Sequence, residues 1–155
     1  MTFQIHPLPK AYFEDLFSLS DADLKTRNIL KVTADSQPGF PCRVSLQDAK
    51  IGEELFLLSY QHLGGSTPFA ATHAIYVRKD ATQAHVDIDE VPAVLARRVL
   101  SVRGFNKQKM MVDADVVNGD DLAQSLNKLF ENTEIEFVHI HNAKQGCFAA
   151  MATRN

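Results

Sequence analysis

The chain has 155 residues, 16 Lys plus Arg against 19 Asp plus Glu for a formal net charge of −3, and an apolar fraction of 45%. That length suits one ordinary domain with enough chain to bury a core, the composition excludes disorder, and the charge balance excludes a general nucleic-acid surface. Two cysteines, Cys42 and Cys147, exclude a disulfide-rich secreted scaffold. The start, MTFQIHPLPK, lacks the basic-then-apolar pattern of a signal peptide, and no apolar run is long enough to span a bilayer. A cytoplasmic location with no membrane partner is the expectation; composition fixes no oligomeric state.

A short extended lead comes first. Pro9 suits a first helical turn, and Tyr12, Phe13, Leu16 and Phe17 recur at helical spacing through Ser18. Ser20 followed by Asp23 resembles a capping box for a second short helix ending near Arg27. Residues 29–34 read as a strand, and Pro38-Gly39-Phe40-Pro41 stops it in a rigid turn. Cys42 to Leu46 suits a short strand, and 47–52 a turn. Residues 53–60, EELFLLSY, are apolar on both faces and predict a central strand. Gly64, Gly65 and Pro68 make the next loop, and 72–78 predict a strand with His73, Ile75 and Val77 on one face.

Residues 80–90 are polar and irregular, and Val91-Pro92 opens a single helical turn through Ala96. Residues 97–105 predict a strand carrying Arg97, Val99, Ser101, Arg103 and Phe105 on one face, joined through NKQK to a partner strand at 110–117. The strongest helix covers 120–131, where Leu122, Leu126, Leu129 and Phe130 form an apolar stripe behind aspartates that suit the helix dipole. Residues 135–141 form a strand with Ile135, Phe137, His139 and His141 on one face; Lys144-Gln145-Gly146 turns, and 147–150 run back. About six short strands without a βαβ rhythm, and no linker, predict an α+β fold. The expected architecture is a largely antiparallel sheet with helices packed on it, in a single domain over 1–155.

The sharpest chemical constellation is His139-Ile140-His141 followed by Cys147. Two histidines at i and i+2 on a strand project from the same face roughly 6.5–7 Å apart along the chain. That suits two ligands of one metal, or a base and its orienting partner; two buried, backbone-bonded histidines are the plain alternative. Zinc needs three or four such groups at compact spacing, and the chain has none, so no metal site is assigned and no zinc is expected to be needed for folding. Cys42-Arg43 is a second cluster: arginine beside cysteine lowers a thiol pKa, and a Cys–His pair is a nucleophile with its base, while a buried inert thiol is the plain reading. Arg43, Arg78, Arg97, Arg98 and Arg103 offer planar forks for carboxylate or phosphate; Asp113 and Asp115 are read as their structural partners across the hairpin, with a carboxylate pair for metal or acid/base work as the alternative. Gly64-Gly65-Ser66-Thr67 offers backbone donors to an anion but is not a phosphate loop. His62 is a minor candidate, sharing parity with Tyr60 if that strand continues.

The blocks PGFPCRVSLQDAKIGEE, LLSYQH, HAIYV, LSVRGF, MMVDADVV and HNAKQGCFAA together resemble the bacterial domain-of-unknown-function 1203 family over nearly the whole chain. The resemblance implies a compact bacterial protein, and it places Cys42, Arg43, His73, Arg103, His141, Asn142 and Cys147 within the family's signature blocks. It supplies no mechanism, and the cofactor stays unknown. His139 is tied less closely to the motif than His141.

These readings combine into a small enzyme or ligand-binding protein with an Arg/His/Cys pocket for an anionic small molecule. His141 would exchange a proton, Cys147 or Cys42 would be the reactive thiol, and Arg43, Arg103, His73 and Asn142 would contact the ligand. A shared pocket for His141 and Cys147 is expected from the five-residue turn between them. The alternatives are a non-catalytic binding or protein-interaction module, and a structural zinc domain.

Overall fold

A computed structural model describes residues 1–155. Its strands are β1 (Phe3–His6), β2 (Leu30–Thr33), β3 (Pro41–Cys42), β4 (Gln47–Asp48), β5 (Glu54–Leu63), β6 (Ala71–Arg78), β7 (Val99–Phe105), β8 (Met111–Asn118), β9 (Phe137–Asn142) and β10 (Phe148–Arg154). Its α-helices are α1 (Asp21–Thr26), α2 (Ala93–Ala96) and α3 (Leu122–Glu131). The strands make two five-stranded sheets, ordered β1-β10-β9-β7-β8 and β2-β5-β6-β3-β4. The first is antiparallel at each pairing. The second is antiparallel at β2–β5 and β3–β4, and parallel where Cys42 faces Tyr76. This is the α+β class that the sequence predicts, with one antiparallel and one mixed sheet and helices packed on them. None of the helices is long and apolar enough to cross a membrane.

The chain divides into two compact units: Met1–His6, Gln61–His73 and Val86–Asn155 form the first, and Pro7–Tyr60 with Ala74–His85 the second. In the first, strand alternation puts Phe3, Ile5, Leu100, Val102, Val138, Ile140, Ala150 and Ala152 out of contact with solvent. Helix α3 packs against β7 and β8 and buries its stripe of Leu122, Leu126, Leu129 and Phe130. A 3-10 turn at Gly119–Asp121 leads into it, so the α-helix starts two residues later than the predicted 120. Gly119 is required there, because a Cβ would lie 2.1 Å from the Leu95 carbonyl oxygen.

In the second unit β5 is central, as predicted, and Leu55 packs with Ala34 and Ala49 against Val32, Phe40 and Tyr76. The Ser20 cap forms as the sequence predicts, its Oγ accepting from Asp23 N at 3.1 Å. The helix predicted up to Ser18 is instead two 3-10 turns, Lys10–Tyr12 and Glu14–Ser18. Their amides reach back three residues, as Phe13 N does to Lys10 O at 3.0 Å and Leu16 N to Phe13 O at 3.0 Å.

The strand predicted over 42–46 stops at Cys42, and the chain turns, with Leu46 at φ +48°. Backbone groups there find partners outside a ladder: Leu8 N donates to Arg43 O and Ala84 N to Val44 O, each at 2.9 Å. Gln47–Asp48, predicted as turn, pairs back on β3. Strand β5 runs to Leu63 and β10 to Arg154, both further than predicted.

Candidate functional site

The other face of the first unit's sheet carries His139, His141, Ser101 and Arg103. In the β7–β9 pairing Ser101 lies opposite His141 and Arg103 opposite His139, so the four side chains share one face. Phe148 of β10 lies opposite His141 from the other side. The segment Gln61–His73 adds two more imidazoles. Because β5 continues past Tyr60, His62 falls on its last turn of alternation, and β6 starts early enough to include His73. The connection between them turns at Gly65 (φ +103°) and is tied to the β7–β8 hairpin. Lys109 Nζ donates to Gly64 O at 2.7 Å, and Thr67 Oγ1 donates to Lys109 O at 2.9 Å.

Four histidines therefore converge within one unit. The His62 ring is stacked between His73, at a centroid distance of 4.7 Å, and Phe148, at 5.1 Å. The edges of His141 and His139 meet it at 4.9 and 5.0 Å. His73 and His141 lie 5.1 Å apart, nearly perpendicular. Phe105 closes the far side against His139 at 5.3 Å.

Hydrogen bonding restricts the tautomers. His141 Nδ1 lies 3.0 Å from the Gly146 carbonyl oxygen. A carbonyl only accepts, so Nδ1 carries the proton and a neutral His141 presents its lone pair at Nε2. His62 Nδ1 and His139 Nδ1 lie 3.0 Å apart, so one donates to the other. His141 Nε2, His62 Nε2 and His73 Nδ1 are buried and have no protein hydrogen-bond partner. These same three residues place one ring nitrogen each within 4.8 Å of the others. Buried polar atoms are nearly always paired, so three unpaired ring nitrogens in one histidine cluster make it a candidate ligand site.

Electrostatics keeps the rings neutral. Burial, with the charges of His62, His141 and Arg103, pushes His139 down to about 3. Burial also brings His141 to about 3, Arg103, His62 and His73 adding to the effect while the Gly146 carbonyl opposes it. His62 falls to about 4 through burial, His73 and Arg103, and His73 is lowered by burial and Arg103. Burial lowers Arg103 itself. Its Nε donates to Ser101 Oγ at 3.2 Å, and no carboxylate pairs with it: the ion pairs join Arg27, Lys31, Arg78 and Lys79 to Asp15, Asp21, Glu53 and Glu54.

A measurable consequence follows from the sign of these shifts. Unfolded imidazoles titrate near 6.5 and the folded ones lower, so the unfolded chain binds more protons below 6.5. Chelator-treated protein is expected to lose about 1 kcal/mol per fully buried ring between about pH 7.5 and 5.5, a window above ordinary carboxylate titration. Urea denaturation at the two pH values measures it. An unchanged unfolding free energy would mean that the rings are not held neutral.

Of the residues singled out from sequence, His62, His73, Arg103, His139 and His141 come together here. Asn142 is buried on the strand face opposite His141, and its Nδ2 donates to Cys147 Sγ at 3.4 Å. The residue in register with His141 is Phe148, so the turn brings Cys147 to Asn142. Cys42 and Arg43 belong to the second unit. Cys42 Sγ accepts from Arg78 N at 3.2 Å and Ser45 N at 3.5 Å, and the buried Arg43 donates to the Pro41 carbonyl. Neither cysteine is in a disulfide. Asp113 and Asp115 are not across from the arginine: Arg103 faces Ala114, which puts both carboxylates on the other side of β8.

No curated protein and no solved structure matches the chain. The family model described as Protein of unknown function (DUF1203) matches residues 39–154, a span that contains His62, His73, Arg103, His139 and His141. The fold and the histidine site are thus those of a chain that belongs to the DUF1203 family.

Proposed function

We propose that the protein is a divalent-metal-binding protein whose His62, His73 and His141 hold one ion, leaving a coordination position open for water or a small ligand. The observation that carries this reading is that His62, His73 and His141 place one ring nitrogen each within 4.8 Å of one another, and that each of the three has a buried ring nitrogen with no protein partner. Three neutral imidazoles are a zinc-type donor set for catalytic rather than structural sites, which close with four protein ligands. A tetrahedral ion with Zn–N of ~2.05 Å wants nitrogens about 3.3 Å apart, so binding draws the rings inward by small side-chain rotations.

The surroundings support the same reading. The Gly146 carbonyl fixes His141 with Nε2 as the donor atom, the usual outer-shell device of metal-binding histidines. For His62 to ligate through Nε2, its Nδ1–H must donate to His139 Nδ1, which gives His139 a positioning role. The rings of Phe148 and Phe105 pack on His62 and His139 and give the cluster apolar neighbours. In such a site a bound ion lowers the pKa of a coordinated water, and addition of water to a small substrate is the reaction class it serves. His141 is then a ligand, and the proton exchange first read for it passes to that water. Because the ion is held at an open site on a complete sheet, folding does not depend on it.

The test is metal content and titration. Protein purified without chelator is expected to carry up to one divalent ion per chain, and the chelated protein to take up one cobalt(II) with a tetrahedral-type visible spectrum while remaining folded throughout. No uptake at micromolar cobalt or zinc would defeat the proposal. Unfolding on chelation would make the site structural.

A further inference from the structure

We propose that this centre binds a small oxyanion, a carboxylate or phosphate group, bridged between the open metal position and Arg103. The inference rests on the three-histidine metal reading and names the ligand class of that site. Its geometric basis is the register: Arg103 stands opposite His139, and Ser101 opposite His141, on the face where the imidazoles gather. Ser101 Oγ takes only the Nε–H of the guanidinium, at 3.2 Å. The four N–H groups at its forked end have no carboxylate partner. A partly buried guanidinium without a counter-ion is costly, and a dication placed beside it raises that cost. One anion resolves both: one oxygen completes the metal's coordination, and the others accept from the Arg103 fork, which matches planar and tetrahedral oxyanions alike. The charge felt from Arg103 at all four imidazoles agrees with that proximity.

Cobalt(II)-loaded protein supplies the experiment, with inorganic phosphate and acetate as separate probes read by the visible spectrum of the ion. The spectrum is expected to shift saturably with at least one probe, and the tighter of the two names the class. Arg103→Met should weaken that anion about 10- to 100-fold, as loss of a charged hydrogen bond does, while cobalt binds with the same stoichiometry and equal or tighter affinity. Arg103→Lys, which keeps the charge and loses the fork, should recover part of the loss, and it carries the test if the Met variant fails to fold. Cobalt bound with no response to either probe, or anion affinity unchanged in both variants, overturns the inference and leaves the metal reading standing. Failure of wild-type protein to bind cobalt overturns both.

Discussion

His141→Gln protein should bind cobalt(II) at least about a hundred-fold more weakly than wild type while keeping its fold. Losing an outer-shell partner of a metal ligand already costs about 10- to 100-fold, and removing one of three ligands costs more. His141 is the decisive position because its donor nitrogen is defined by the Gly146 carbonyl and it has no access to solvent. Glutamine keeps a polar group of similar reach, so the comparison is not confounded by a cavity. His139→Phe supplies the graded control, since it removes only the acceptor that orients His62 and should cost about 10- to 100-fold. His6→Gln should leave cobalt affinity unchanged, as His6 is engaged with Thr153 Oγ1 at 2.8 Å on β1 and β10. Equal cobalt affinity across wild type and His141→Gln, measured by competitive titration, would remove His141 from the ligand set.

Leu126→Ala should lower the unfolding free energy by about 2–5 kcal/mol. Leu126 lies mid-helix in α3 at 0% exposure, on the stripe it shares with Leu122, Leu129 and Phe130. Truncation removes burial of the leucine side chain and leaves a cavity that its neighbours fill only in part. Helix propensity works the other way, because alanine is the better helix former, but that term is a few tenths of a kcal/mol. Chemical denaturation at neutral pH checks it, and an unchanged midpoint would place the stripe outside the core. Because α3 packs on β7, a softened core should also reach the cobalt spectrum through Ser101 and Arg103 less than through direct ligand substitution.

The elements with strong local signals were legible in the sequence. The α3 stripe, the Ser20 cap, the central β5 and the β7–β8 hairpin are each specified by residues a few positions apart, which is the range over which periodicity and turn chemistry act. Errors gathered where non-local partners decide. At Arg43 and Val44 the backbone bonds to Leu8 and Ala84 rather than to a ladder, a choice that no local pattern encodes. The site was legible by halves. His139 and His141 announce a shared face through their i, i+2 spacing, and Arg103 announces its own. His62 and His73 lie more than sixty residues before His139 and His141 in sequence, beyond the reach of any local pattern. The available signal was parity: continuing the β5 alternation past Tyr60 puts His62 on a strand, and the first residue of HAIYV is then its neighbour across the loop. The thiols of Cys42 and Cys147 stand out in the sequence by chemical type alone, and type does not determine which face a side chain takes.

The tie between Lys109 and the 64–70 connection has a consequence for how the histidine centre meets an ion. That connection carries His62 at one end and His73 at the other, and its two anchors end on a single residue held at φ +60° by the hairpin turn. Ordering a loop of that size costs on the order of 1 kcal/mol or more per residue in backbone entropy. Here the loss is taken when the chain folds, so the proposed capture of an ion would need only ring rotations and not the ordering of a segment. An ion held by His62, His73 and His141 would then meet a segment already tied at Lys109, with the loop serving as a fixed wall and not as a door.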